Sequence, residues 1–320
     1  MNAETGAPIW TFRYPAIGNL DYGNSPRATP LIHADHVFLF GAFGHLHCVE
    51  RASGKVTWAT NLRDQFGATD ELKWGTSASP LIVDGKLIVN PGAEDASLVA
   101  LDPATGKVIW QTPGGPAAFS SFIVGVFGGK RQIVGYDKRT LGGWDIATGK
   151  RLWSLTPPNP NDFNVPTPIA LNGKLLVTSE NNGTRIYDFN RNGTIIEKPI
   201  AEHGDLACDT HTPVLVGRRL FGVWNGMYCL DVQNGLKELW FGRDPAFFKY
   251  AALIASPDRL MAISLKGELI LIDPLPAKFN VLSRMSLFVG DNGVYAHPAL
   301  VGTRLYVRGS AEVVCVELGP

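Results

Sequence analysis

The side chains best suited to chemistry are few and scattered. The four cysteines are Cys48, Cys208, Cys229 and Cys315, and no two are adjacent. Three of them precede an acidic turn in one local pattern, His47-Cys48-Val49-Glu50, Tyr228-Cys229-Leu230-Asp231 and Val314-Cys315-Val316-Glu317. A small side chain filling the same buried place in a repeated unit accounts for that pattern better than a disulfide does. Cys208 stands among Asp205, Asp209 and His211, a mixed set without an established zinc-ligand spacing, and reads as a solvated loop. His45-Leu46-His47 puts two imidazoles on one face of a strand, because side chains alternate there, but no third ligand is identifiable. Neither His-Glu-x-x-His nor Gly-x-Ser-x-Gly nor a P-loop occurs; Gly128-Gly129-Lys130 is a hairpin turn, and the Asn-Gly-Thr runs at Asn182 and Asn192 read first as turns. The sequence therefore assigns no catalytic residue and no metal-ligand set.

The elements that would position any site come from a repeat. A Pro or its substitute opens each unit and a hydrophobic residue follows seven positions on: Pro30 to Val37, Pro80 to Leu87, Pro168 to Leu175, Pro213 to Leu220, Leu253 to Leu260 and Pro298 to Leu305. Phe122 opens a further unit whose turn is lengthened. Later in each unit an acidic residue, a Gly four on and a Trp four further recur, as in Asp102-Gly106-Trp110 and Asp145-Gly149-Trp153, with Glu50-Gly54-Trp58 and Asp231-Gly235-Trp240 as variants. Short β-branched runs flanking Asp84-Gly85 are two antiparallel strands joined by a turn that needs positive φ. Two more strands follow, separated by the Asp-x-x-Thr-Gly-Lys turn, whose carboxylate caps backbone N–H groups. A four-stranded sheet of such a length cannot bury both faces alone, so the units must stack, and radial stacking is a β-propeller with the Trp packed between neighbouring sheets.

The expected fold is thus all-β, a single domain over 1–320: a seven-bladed β-propeller of four-stranded antiparallel blades. Asn2, Gly6 and Trp10 occupy the acidic, Gly and Trp positions of the repeat. Residues 2–10 are accordingly expected to supply the outer strand completing the last blade (295–318). The alternative is an eight-bladed ring, N-terminally truncated. The 29 basic and 29 acidic residues cancel, which argues against a nucleic-acid partner; 45% hydrophobic residues supply a full core, and Gly 35 with Pro 22 mark a turn-rich chain. No apolar run is long enough to insert in a membrane, and the first residues carry no signal peptide.

Leu101-Asp-Pro-Ala-Thr-Gly-Lys-Val-Ile-Trp110 resembles the PQQ-like β-propeller repeat, found in quinoprotein alcohol dehydrogenases and in BamB-type lipoproteins of outer-membrane protein assembly. Tyr22-Gly-Asn-Ser-Pro-Arg-Ala-Thr-Pro30 and Gly41-Ala-Phe-Gly-His-Leu-His-Cys48 look most like bacterial PQQ-like repeat proteins, many of them exported. The resemblance implies a periplasmic or secreted address and a non-enzymatic binding or assembly scaffold, a monomer taking a protein partner or extended polymer at one propeller face. No cofactor is expected. The quinoprotein alternative would need PQQ with Ca²⁺ and a disulfide between adjacent cysteines, and this chain has no Cys-Cys pair.

A propeller lines its channel with the innermost strands, so the residues preceding each unit's opening position, Thr29, Ser79, Ser121, Thr167, Thr212 and His297 among them, are candidate channel residues. The entry loops add Tyr22, Trp74, Phe119, Phe163, Tyr250 and Tyr295, with Arg27, His211, Asp209 and Lys249 as polar or charged neighbours. An aromatic funnel over a small-polar channel suits a planar ligand, a sugar (a glycan-binding module) or an extended peptide. The same residues would equally serve the fold, the hydroxyls by satisfying backbone groups and the aromatics by packing under loops.

Overall fold

The computed structural model describes residues 1–71, 73–248, 250–290 and 293–319. Its strands form seven antiparallel sheets, six of four strands and one of three, the β-propeller class read from the sequence. The first holds β1 (Leu31–His33), β2 (His36–Phe40), β3 (His45–Glu50) and β4 (Val56–Asn61), followed by a short helix α1 (Leu62–Phe66). The second holds β5 (Leu81–Val83), β6 (Lys86–Val89), β7 (Leu98–Leu101) and β8 (Val108–Thr112), and the third β9 (Ile123–Phe127), β10 (Lys130–Tyr136), β11 (Leu141–Trp144) and β12 (Arg151–Leu155). The fourth runs through Ile169–Leu171, Lys174–Ser179, Gly183–Tyr187 and Ala201–His203, and the fifth through Val214–Val216, Arg219–Val223, Met227–Asp231 and Lys237–Gly242. The sixth comprises Ala251–Ala255, Leu260–Ser264, Glu268–Ile272 and Val281–Ser286, and the last Ala299–Val301, Arg304–Arg308 and Val313–Glu317. The chain divides into two compact units, residues 1–175 with 188–197, and residues 176–187 with 198–320.

Strand alternation sends each sheet's side chains both ways. In β7 all four residues are buried. Val99 and Leu101 join Phe38, Leu46 and Cys48 of the first sheet, while Leu98 and Ala100 join Phe122, Ile133 and Trp144 of the third. The core is therefore a series of apolar layers between successive sheets, as stacked blades require. In the second unit the same role falls to Phe221, Cys229, Leu253 and Ala262 between the fifth and sixth sheets, and to Ile263, Leu269, Leu305 and Val307 between the sixth and seventh.

The expected turns form. Asp84 and Gly85 have φ of 47° and 70°. Asp102 Oδ1 accepts from the N–H groups of Ala104 and Thr105 and from the Thr105 hydroxyl, and these bonds, the hydroxyl first, lower its pKa. Gly106 N–H closes the turn onto Asp102 O at φ 70°. The tryptophan that ends the motif docks as expected: Trp58 Nε1 donates to Pro103 O at 3.0 Å and Trp110 Nε1 to Ile146 O at 3.2 Å, each ring lying on the Gly of the next sheet's turn, Gly106 and Gly149. A feature without a sequence signal is a β-bulge between third and fourth strands at one repeat position, at Cys48/Val49, Ala100/Leu101, Gly143/Trp144, Cys229/Leu230 and Leu271/Ile272. It re-aims the outer strand just where the Trp must reach across.

Residues 2–10 reproduce this turn. Asn2 Oδ1 accepts from Glu4 and Thr5, Gly6 N–H bonds to Asn2 O, and Trp10 lies on Gly54 with Nε1 donating to Arg51 O at 2.9 Å. They lie in no strand, and among the described residues the sheet formed by Ala299–Val301, Arg304–Arg308 and Val313–Glu317 has three strands. Its third strand alternates exposed and half-buried residues. Cys315 is exposed where a buried thiol was expected, and among the described residues no fourth strand pairs with Val313–Glu317.

Candidate functional site

In the first unit, the hydroxyl residues preceding each blade's opening position link consecutive sheets. Thr29 N–H donates to Ser79 Oγ at 2.9 Å, Ser79 N–H to Ser121 Oγ at 2.9 Å, and Ser121 N–H to Thr167 Oγ1 at 3.2 Å. Ser79, Ser121 and Thr167 thus each accept a backbone N–H from the preceding unit, which satisfies polar groups that no ladder reaches. Tyr22 is largely exposed, with φ 63°. Arg27 is turned into its own loop, its guanidinium donating to the carbonyls of Asp21, Gly23 and Ser25.

Three of the candidate aromatics converge. Trp74 lies 4.7 Å edge-on from Phe163 and 5.2 Å from Phe119, with Phe119 and Phe163 6.4 Å apart. They come from the loops after α1, β8 and β12. Phe163 is exposed and Trp74 half-buried, and Lys73 Nζ lies 5.3 Å from the Trp74 ring centre. Beside them Thr76 Oγ1, Ser120 Oγ and Asn164 Oδ1 are buried without hydrogen-bond partners.

The second unit gathers another set. His211 and Tyr250 rings meet edge-on at 6.4 Å, the Tyr250 and Tyr295 rings lie tilted by 40° at 6.1 Å, and the Tyr250 hydroxyl donates to Tyr295 O at 3.0 Å. Thr212 is half-buried, and His297 lies near enough to His211 to act on it electrostatically. Cys208 and His211 are buried, which corrects the expectation of a solvated loop around Cys208. Val223 N–H donates to His211 Nε2 at 2.9 Å, so the neutral ring carries its proton on Nδ1, an N–H without a partner. Burial, then His297, push its pKa down to about 4. With Nε2 engaged and Nδ1 protonated, this imidazole has no free lone pair for a metal. Lys249 lies outside the described residues.

The cysteines are all free. Burial pushes the thiols of Cys48, Cys208 and Cys229 up to about 11, 12 and 12, so they are packing groups, not nucleophiles. Among the described residues no three His, Cys, Asp or Glu side chains converge to hold a metal ion, and no helix is long and apolar enough to cross a membrane. This donor set does not fit a centre built on Ca²⁺ and a disulfide of adjacent cysteines.

A fourth neighbourhood joins the paired histidines of the sequence to residues well before them. His45 and His47 stack at 6.3 Å and 11°, and Tyr14 lies over both at 5.2 and 4.4 Å, with Phe12 4.9 Å from His47. Beside it lies a cavity of about 520 Å³ lined by Pro15, Ile17, Leu20, Phe43, His45, Arg63, Asp64 and Glu71, among others. The only sequence signal for it is the alternation of Phe12 and Tyr14, which suits a strand-like strap laid on that face.

Comparison with known proteins agrees with this architecture. Among solved structures, BamB from Moraxella catarrhalis superposes with a TM-score of 0.64 over 96% of this chain and 84% of its own, at 15% identity. The quinohemoprotein alcohol dehydrogenase of Comamonas testosteroni does so at 0.61 over 88% of this chain and 62% of its own, at 13% identity. In sequence, quinoprotein alcohol dehydrogenase PedH of Pseudomonas putida is 27% identical over 167 residues, 48% of this chain but 26% of that protein. The Comamonas testosteroni enzyme is 26% identical over 153 residues, 42% of this chain and 20% of its own length. The family described as outer membrane protein assembly factor BamB matches residues 1–240, and the chain belongs to that family.

Proposed function

We propose that this protein is a non-enzymatic binding or assembly scaffold of the bacterial cell envelope that engages a protein partner or extended polymer as a monomer. The observation carrying this reading is the extent of the likeness: the BamB family spans residues 1–240, and the BamB structure is matched along most of both chains, whereas in sequence the dehydrogenases are matched over about a quarter of their length or less. The reading without a quinone is further supported by the scattered, unpaired thiols. The partner surface we assign is the Trp74, Phe119 and Phe163 cluster, since apolar rings at loop tips are the kind of anchor that interfaces bury.

The test is photocrosslinking from a residue beside Trp74 in envelope preparations, compared between wild type and Trp74→Ala. One discrete adduct that weakens at least about tenfold in the variant, the usual scale of an interface anchor, supports the reading. An adduct insensitive to Trp74→Ala removes this surface. Titration with PQQ, with and without Ca²⁺ and followed by tryptophan quenching, addresses the other reading: saturable one-to-one binding would overturn the scaffold in favour of a quinoprotein.

A further inference from the structure

The strap carrying Phe12 and Tyr14 rests on two imidazoles. The rings of His45 and His47 are parallel and 6.3 Å apart, Tyr14 covers both, and Phe12 meets His47 edge-on. His47 is buried, and the Nδ1 atoms of both rings are shielded from solvent with no hydrogen-bond partner. Whichever nitrogen carries the proton of the neutral ring, an imidazolium has N–H on both, so the buried Nδ1 becomes part of a charged donor with no acceptor, which costs far more than a neutral group left unpaired.

We propose that His47, packed beside His45 beneath Phe12 and Tyr14, is a proton-sensitive clasp that holds the strap of residues 11–17 on the first blade at neutral pH and releases it on acidification. The surroundings divide the roles. Opposite His47 stand Leu39 of β2 and Ala59 of β4, neither ionisable. His45 pairs with Asn61 of β4 and shares its cavity with Arg63 and Asp64 of α1 and Glu71 of the following loop, and Tyr14 and Arg13 are the strap's own titratable groups. Asp64 and Glu71 line that cavity beside the Arg63 guanidinium, which is tied to the carbonyls of Ala68 and Asp70. His47 has no ionisable residue opposite it on either neighbouring strand and is the sensor. Burial, and then His45, lower its pKa, in agreement with this assignment. Because Pro15, Ile17 and Leu20 wall the same cavity, release of the strap opens it. The device is independent of the scaffold reading and stands or falls apart from it.

Hydrogen exchange at residues 11–17, expressed as protection relative to the unstructured rate at each pH, tests the clasp. In wild type, protection should fall about tenfold or more between pH 7.5 and 5.0, the range in which histidine charges, while the strands of the first blade stay protected. His47→Phe keeps an aromatic ring and cannot titrate, so its strap should hold to within about twofold over the same range. His47→Gln, equally unable to titrate, serves if the Phe variant misfolds. Wild-type protection unchanged by pH, or an equal fall in wild type and both variants, would overturn the proposal.

Discussion

His211 shows how one buried side chain sets a pH limit. Its ring must accept the Val223 N–H through Nε2, a bond available to the neutral tautomer and lost on protonation. The folded pKa of about 4 lies below the ordinary 6.5, so between those values the unfolded chain binds the proton first. The stability this group contributes is therefore full above about pH 6.5 and falls as the pH drops toward 4, by up to about 3 kcal/mol. His211→Gln, whose amide oxygen can accept the same N–H, should remove that slope; chemical denaturation at several pH values would detect it, and an unchanged slope would show that His211 is not the titrating group. Trp110 is a second such residue. Its ring is buried, bonded to Ile146 O and laid on Gly149, so Trp110→Ala should cost about 3–5 kcal/mol as a large-to-small core change. A melting temperature within a degree or two of wild type would deny it the role of a dock between sheets.

At the level of elements, the polar links between sheets make a sharper case than the strands themselves. Ser121 Oγ accepts the Ser79 N–H, while its neighbour Ser120 buries a hydroxyl with no partner. Ser121→Ala should thus cost about 1 kcal/mol by leaving a backbone donor unpaired, whereas Ser120→Ala should be neutral or stabilising; urea melts of the two would rank them, and equal losses would refute the distinction. Ser120 and Ser121 are adjacent and chemically identical; the repeat singles out Ser121 by its place before Phe122, but not the hydrogen bond that distinguishes it. What could be read ahead was whatever lies within one turn of chain: Asp84-Gly85, the Asp102 to Gly106 loop and the Trp that follows, because their geometry is set by φ preferences and local hydrogen bonds. Contacts between distant residues were beyond reach. Trp153 donates to Gln132 Oε1 at 2.6 Å instead of to a carbonyl of the next sheet, Cys208 is buried where its polar neighbours suggested solvent, and Phe12 and Tyr14 cover histidines far along the chain. Of the candidate site, the sequence names the loops, but only the fold decides that Trp74, Phe119 and Phe163 meet.

Across the whole molecule, a blade protects its third strand when a fourth strand lies over it, and three of the four cysteines sample a third strand with and without that cover. Cys48 pairs with Trp58 and Cys229 with Trp240 across a fourth strand, and both thiols are fully buried, as is Cys208. Cys315 occupies the same repeat position in the three-stranded sheet, pairs among the described residues with Tyr306 alone and is exposed. Access governs reaction with a disulfide reagent. One thiol per chain should therefore react quickly with such a reagent under native conditions, and the other three only on unfolding. Cys315→Ser should abolish the fast phase and leave the slow one intact. Four protected thiols would mean that a strand covers Val313–Glu317 in solution, and residues 2–10, which already carry the turn and Trp of a fourth strand, would be the segment to mutate next.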